Sequence, residues 1–121
     1  PQAIFGQPPG LTVGATEEAL REAGTEYVKV VQPYDTVAYG WALDDRTSFV
    51  KLLVDPATRL LLGAGVIGLE APELGQLLVA AMSFGIDVGT MARGQYWAHP
   101  ELAEVVENAL LAAAAECEGA R

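Results

Sequence analysis

The chain has 121 residues, 51% of them apolar, which suffices for one domain with its own core. Sixteen acidic residues against seven basic ones leave a formal charge of −9. That balance excludes a phosphate-neutralising nucleic-acid binder and gives a surface suited to solubility.

In chain order, Gln2–Phe5 reads as a short strand, followed by the turn cluster Gly6-Gln7-Pro8-Pro9-Gly10 and a second strand over Leu11–Gly14. Thr16 is placed to cap a helix whose first turn carries Glu17 and Glu18, and Gly24 stops it after Ala23. The β-branched run Tyr27–Val31 predicts a third strand, and Pro33-Tyr34-Asp35 bends the chain. Val37–Leu43 is read as a further strand, weakened by Gly40. Ser48–Val54 and Arg59–Ile67 form a hairpin across the turn Asp55-Pro56-Ala57-Thr58. Leu74, Leu77, Leu78, Ala81 and Met82 recur at helical spacing, so Pro72–Phe84 is a helix ended by Gly85. Leu102, Val105, Val106, Ala109, Leu110 and Ala113 repeat that period in a last helix from Pro100 to about Ala115. The expected fold is α+β, an antiparallel sheet with helices packed on it.

The single cysteine, Cys117, excludes an internal disulfide and a cysteine-built metal site. Lying between Glu116 and Glu118, it is expected to be an inert thiol in a reducing, cytoplasmic compartment. No apolar run reaches the length of a membrane span, and no basic, apolar leader opens the chain. The chain starts at Pro1 without methionine, which predicts a piece processed or excised from a longer protein. Gly63-Ala64-Gly65-Val66-Ile67-Gly68 has glycine-rich spacing but lies inside an extended apolar run rather than opening a helix, so it reads as a strand closely approached by another backbone. Neither a phosphate-binding lysine loop nor a paired-histidine zinc site is present.

One segment carries chemistry. His99 is the only histidine, Pro100 follows it, and Glu104 lies five positions on. Proline suits the first position of a helix, which would put His99 at its mouth with Glu104 a turn inside, facing back. A carboxylate on one ring nitrogen fixes the tautomer and frees the other nitrogen for proton transfer. The residues alone favour the plainer reading, a histidine that caps or packs against a helix.

Four stretches taken together resemble the C-terminal dimerisation (interface) domain of the FAD-dependent pyridine nucleotide–disulfide oxidoreductases. They are Pro1–Phe5 with Val13-Gly14-Ala15-Thr16-Glu17, the hairpin Phe49–Leu52 with Leu62–Gly68, the helix start Ala71-Pro72-Glu73-Leu74, and His99-Pro100…Glu104. Val37–Ala42, Ala81–Gly85, Met91–Trp97 and Val105–Leu111 are most similar to the mycothione reductase branch, while dihydrolipoamide dehydrogenases and mercuric reductases share the general signature. The resemblance implies a single dimerisation domain over residues 1–121, with FAD and NAD(P)H domains outside this chain. It implies a homodimer in which His99, paired with Glu104, protonates the thiolate leaving a disulfide at the partner subunit's active site. It also implies a contact from the His99 backbone carbonyl to the partner's FAD in the full-length enzyme. With one cysteine and no dinucleotide fingerprint, the chain is expected to bind no cofactor, metal, nucleic acid or membrane, and to be inactive alone. Two other functions fit the residues: a stand-alone homodimeric interaction module, or a small-molecule site built on the aromatic residues Tyr39, Trp41, Tyr96 and Trp97.

Overall fold

A computed structural model describes residues 1–120. Five antiparallel strands form one sheet in the order β1-β2-β5-β4-β3, with β1 Gln2–Ile4, β2 Gly10–Gly14, β3 Val28–Pro33, β4 Phe49–Val54 and β5 Leu61–Ile67. Register and alternation fix the faces. Val30, Val50, Leu52, Val54, Ala64 and Val66 are buried on one side, under the helices α3 (Ala71–Ser83) and α5 (Ala103–Gly119). These helices also contribute Leu74, Leu78, Ala81, Val105, Val106, Ala109 and Leu110 to that core. At about 25 cal/mol per Å² of apolar surface removed from water, this layer is the main source of stability.

The first helix, α1 (Glu17–Ala23), starts as its sequence demands. The Thr16 hydroxyl accepts the Ala19 amide at 3.1 Å, and Gly24 ends the helix in the left-handed region at φ 68°. From its first turn Glu17 bonds Lys51 at 2.6 Å and lies 3.4 Å from Lys29, two lysines that the strand register places on the face opposite the core. The hairpin turn is stapled by Asp55, whose carboxylate accepts the Ala57 amide at 2.8 Å.

Three features differ from what the sequence predicts. Val37–Leu43 is not a strand: a 3-10 turn, Tyr34–Thr36, leads into the short helix α2, Ala38–Ala42. The cause is tertiary. Tyr34 is fully buried, with its hydroxyl donating to the Leu69 carbonyl at 2.9 Å, and Gly40 rests on the Tyr34 carbonyl so tightly that a Cβ would overlap it. Second, Pro100 does not open the last helix. The chain makes a turn through Glu101 and Leu102, α5 starts at Ala103, and it runs on to Gly119. Third, the stretch after Gly85 contains a helix with no counterpart in the sequence reading, α4 (Val88–Arg93), capped by the Asp87 carboxylate on the Thr90 amide at 3.2 Å. The Thr90 hydrogen bonds hold the Asp87 carboxyl below its usual range.

The glycine-rich run behaves as expected. Gly63–Ile67 lies within β5, and a Cβ on Gly63 would collide with the backbone of Ala15. Gly63 therefore serves the packing of β5 against the β2–α1 loop.

Candidate functional site

The fold builds the His99 segment from two anchored ends. On the C-terminal side Leu102, Val105 and Val106 are fully buried and sink the start of α5 into the core. Glu104, between them in sequence, is left on the other side of the helix at 20% side-chain exposure. Its Oε1 lies 2.7 Å from His99 Nδ1 and also accepts the Glu101 amide at 3.2 Å. A carboxylate only accepts, so Nδ1 carries the hydrogen. The imidazole is 66% exposed and Nε2 has no partner among the described residues. The arrangement presents one free ring nitrogen outward on a fixed tautomer. It is half of an acid–base site, because no nucleophile stands beside it among the described residues.

The Glu101 contact is the part the sequence reading missed. A carboxylate reaching back three residues to a backbone amide is half of a capping box, and the three-residue spacing of Glu101 and Glu104 was its available signal. The amide leaves Glu104 Oε1 bonded from two sides, which restricts how far the imidazole can swing.

On the N-terminal side the segment hangs from α4. The Trp97 indole donates to the Ala92 carbonyl at 2.8 Å, and Gln95 Nε2 to the Met91 carbonyl at 2.9 Å. Trp97 packs against the core, whereas Tyr96 is 103% exposed, as open as a ring in an extended peptide. The four aromatics do not share one setting: Tyr39 and Trp97 pack on the core, while Trp41 and Tyr96 stand out from it. A cavity of about 160 Å³ lies between the β2–α1 loop, Lys51 and Leu53, and none of the four lines it.

Elsewhere the most perturbed carboxyl is Glu17. Lys51, with Tyr27 and Lys29, holds it down at about 2. Every charge in that cluster is partnered, so it ties α1 to the sheet. Among the described residues no group of three or more His, Cys, Asp or Glu could hold a metal ion, and no helix is long and apolar enough to cross a membrane.

Residues 1–110 match the family model described as pyridine nucleotide-disulphide oxidoreductase, dimerisation domain. A mycothione reductase of Mycobacterium tuberculosis is 48% identical over 111 residues, 92% of this chain and 24% of that protein. Dihydrolipoyl dehydrogenase 2 of Haloarcula marismortui is 34% identical over 119 residues, 96% of this chain and 24% of the relative. Among solved structures, LpdA of Mycobacterium tuberculosis superposes with a TM-score of 0.84 at 22% identity, over 92% of this chain and 24% of that one. The HOCl-induced flavoprotein disulfide reductase RclA of Escherichia coli superposes at 0.82 and 26% identity, over 91% of this chain and 25% of its own. The chain thus spans about a quarter of the length of the curated relatives it matches.

Proposed function

The chain belongs to the dimerisation-domain family of the pyridine nucleotide–disulphide oxidoreductases, and on that premise we propose that it supplies the His99–Glu104 acid–base dyad to the active site of a second copy, within an FAD-dependent, NAD(P)H-driven disulfide reductase similar to mycothione reductase. Residues 1–121 are then one domain of a polypeptide whose flavin, nicotinamide and cysteine-pair domains lie outside this chain, and the chain by itself is inactive. Its partners are a second copy and those domains.

The observation that carries the reading is the 2.7 Å bond between His99 Nδ1 and Glu104 Oε1 on an otherwise exposed imidazole. A histidine serving only to pack would bury its ring; this one is tied by Nδ1 to Glu104 and leaves the ring 66% exposed. When a cysteine thiolate attacks a substrate disulfide, the S–S bond breaks and the second sulfur departs as a thiolate. The imidazolium Nε2–H can deliver its proton there, giving a neutral thiol and a neutral imidazole, while Glu104 stabilises the charged ring beforehand. General acid–base groups contribute about a hundred- to ten-thousand-fold.

The chain's own residues do not fit a dinucleotide. Its glycine-rich run is a strand interior with Gly63 pressed against the Ala15 backbone, and the run ends before α3 opens at Ala71, so no glycine of β5 forms a helix N-terminus. The flavin and nicotinamide, which supply the reducing electrons, are therefore assigned to the remainder of the polypeptide. The one contact proposed from this chain is the His99 backbone carbonyl against the partner's flavin.

The test is His99→Ala in the full-length protein. Stopped-flow reduction of the flavin by NAD(P)H should be nearly unchanged, while steady-state turnover with the disulfide falls a hundredfold or more. Equal loss in both steps, or unchanged turnover, would return His99 to a structural role.

A further inference from the structure

We propose that Tyr96 is the positioning residue that seats the His99 segment in the second copy: its ring inserts into the partner subunit and fixes the register of the imbedded imidazole. This rests on the reading that His99 works in the partner's active site.

Three observations lead there. Tyr96 is 103% exposed, so its ring takes no support from its own domain. Its two neighbours are nonetheless tied back to α4 by their side chains, Gln95 Nε2 donating to the Met91 carbonyl and the Trp97 indole to the Ala92 carbonyl. The ring is thus presented on a strut whose conformational cost is met before binding, which is the condition that makes an anchor effective. Third, Tyr96 is three residues from His99. An extended chain spans at most about 3.6 Å per residue, so the two Cα atoms lie within about 11 Å. If His99 enters the partner's site, Tyr96 must stand at the same junction, where a fully open aromatic would otherwise remain in water. Tyrosine is among the residue types that dominate the energetics of such junctions, because its large ring has few torsions to immobilise. The neighbouring Trp97 cannot take this role, since its indole is spent on Ala92 and the core.

Truncating Tyr96 leaves the dyad intact and weakens only its delivery, so the loss should depend on protein concentration. Truncating His99 removes the acid and should not. The experiment uses the full-length protein with Tyr96→Ala, Tyr96→Phe and His99→Ala, with sedimentation and disulfide turnover measured together across a dilution series. We expect Tyr96→Ala to weaken self-association about thirtyfold or more, the scale of an interface hot spot. Its turnover per subunit should fall on dilution and recover at high concentration, with flavin reduction unaffected. Tyr96→Phe should retain most of the wild-type behaviour, because the ring and not the hydroxyl is the anchor. His99→Ala should dimerise normally and stay slow at every concentration. Tyr96→Ala that dimerises and turns over like the wild type would overturn the proposal while leaving the dyad reading intact. A raised KM for the disulfide with unchanged self-association would also overturn it, and would make Tyr96 a substrate contact. A His99→Ala protein with normal turnover would instead remove the premise.

Discussion

Replacing Gly63 by alanine should destabilise the chain substantially, whereas the same change two residues on, at Gly65, should not. A Cβ on Gly63 would overlap the carbonyl oxygen of Ala15 and come within 3.0 Å of its N and C atoms, all of them backbone. No rotamer change relieves such a clash, so β5 and the β2–α1 loop must separate. Overpacking of this kind costs about 1–3 kcal/mol. The Ala15 amide bond to the Leu62 carbonyl, 2.9 Å long, sits at the point of separation, and its loss adds about 1 kcal/mol. The sum is about 2–4 kcal/mol, or roughly 8–16 °C in Tm at about 4 °C per kcal/mol for a domain of this size. On Gly65 the new Cβ would meet only the Leu11 carbonyl at 3.8 Å, an ordinary contact. Because glycine is a poor strand residue, Gly65→Ala should be neutral or stabilising by up to about 1 kcal/mol. The assay is equilibrium urea unfolding of both variants, comparing midpoints at unchanged slope. Equal stability of the two variants would refute the close-approach account of this glycine-rich run and reopen its reading as a ligand loop.

Other outcomes follow from the same geometry. In the full-length protein Glu104→Gln should lower disulfide turnover by less than His99→Ala does, because an amide can still accept from Nδ1–H but no longer stabilises the imidazolium; steady-state kinetics of the pair, each with flavin reduction as control, decides this. Glu17 is held down at about 2 by Lys51, Tyr27 and Lys29, so its stabilising effect is complete above its ordinary range near 4.5 and fades as pH falls toward 2. The stability gap between wild type and Glu17→Gln should therefore be open at pH 6–7, narrow through pH 4 and close near pH 2; denaturant midpoints across that series showing a constant gap would count against the Lys51 pairing. The purified 121-residue chain should show no flavin absorbance, and added FAD should leave its thermal midpoint unchanged; a saturable upward shift would place a dinucleotide site on this chain after all.

Much of the architecture is legible in the sequence. Alternation and β-branched runs located three of the five strands to within one residue at each end, and β3 and β5 to within two. Helical periodicity found α3 and α5, and Thr16 with Gly24 bounded α1. Local chemistry determines these elements: caps, turn residues and apolar period act within a few residues of one another. The pairing of His99 with Glu104 was also expected from the sequence, though the turn through Glu101 and Leu102, and not a helix opened by Pro100, brings the two side chains to 2.7 Å. Tertiary structure decided the rest. Val-Ala-Tyr-Gly-Trp-Ala over residues 37–42 is apolar enough for a strand, and becomes a helix because buried Tyr34 needs Leu69 as its acceptor and Gly40 alone fits against the Tyr34 carbonyl. Pro100 had the right residue type for a helix start, but the burial of Leu102 and the hold of Glu104 on the Glu101 amide set the start at Ala103. No sequence pattern said that Trp97 would fold inward and Tyr96 outward. Trp97 is held inward by its indole bond to the Ala92 carbonyl, an acceptor that only the folded α4 brings within reach.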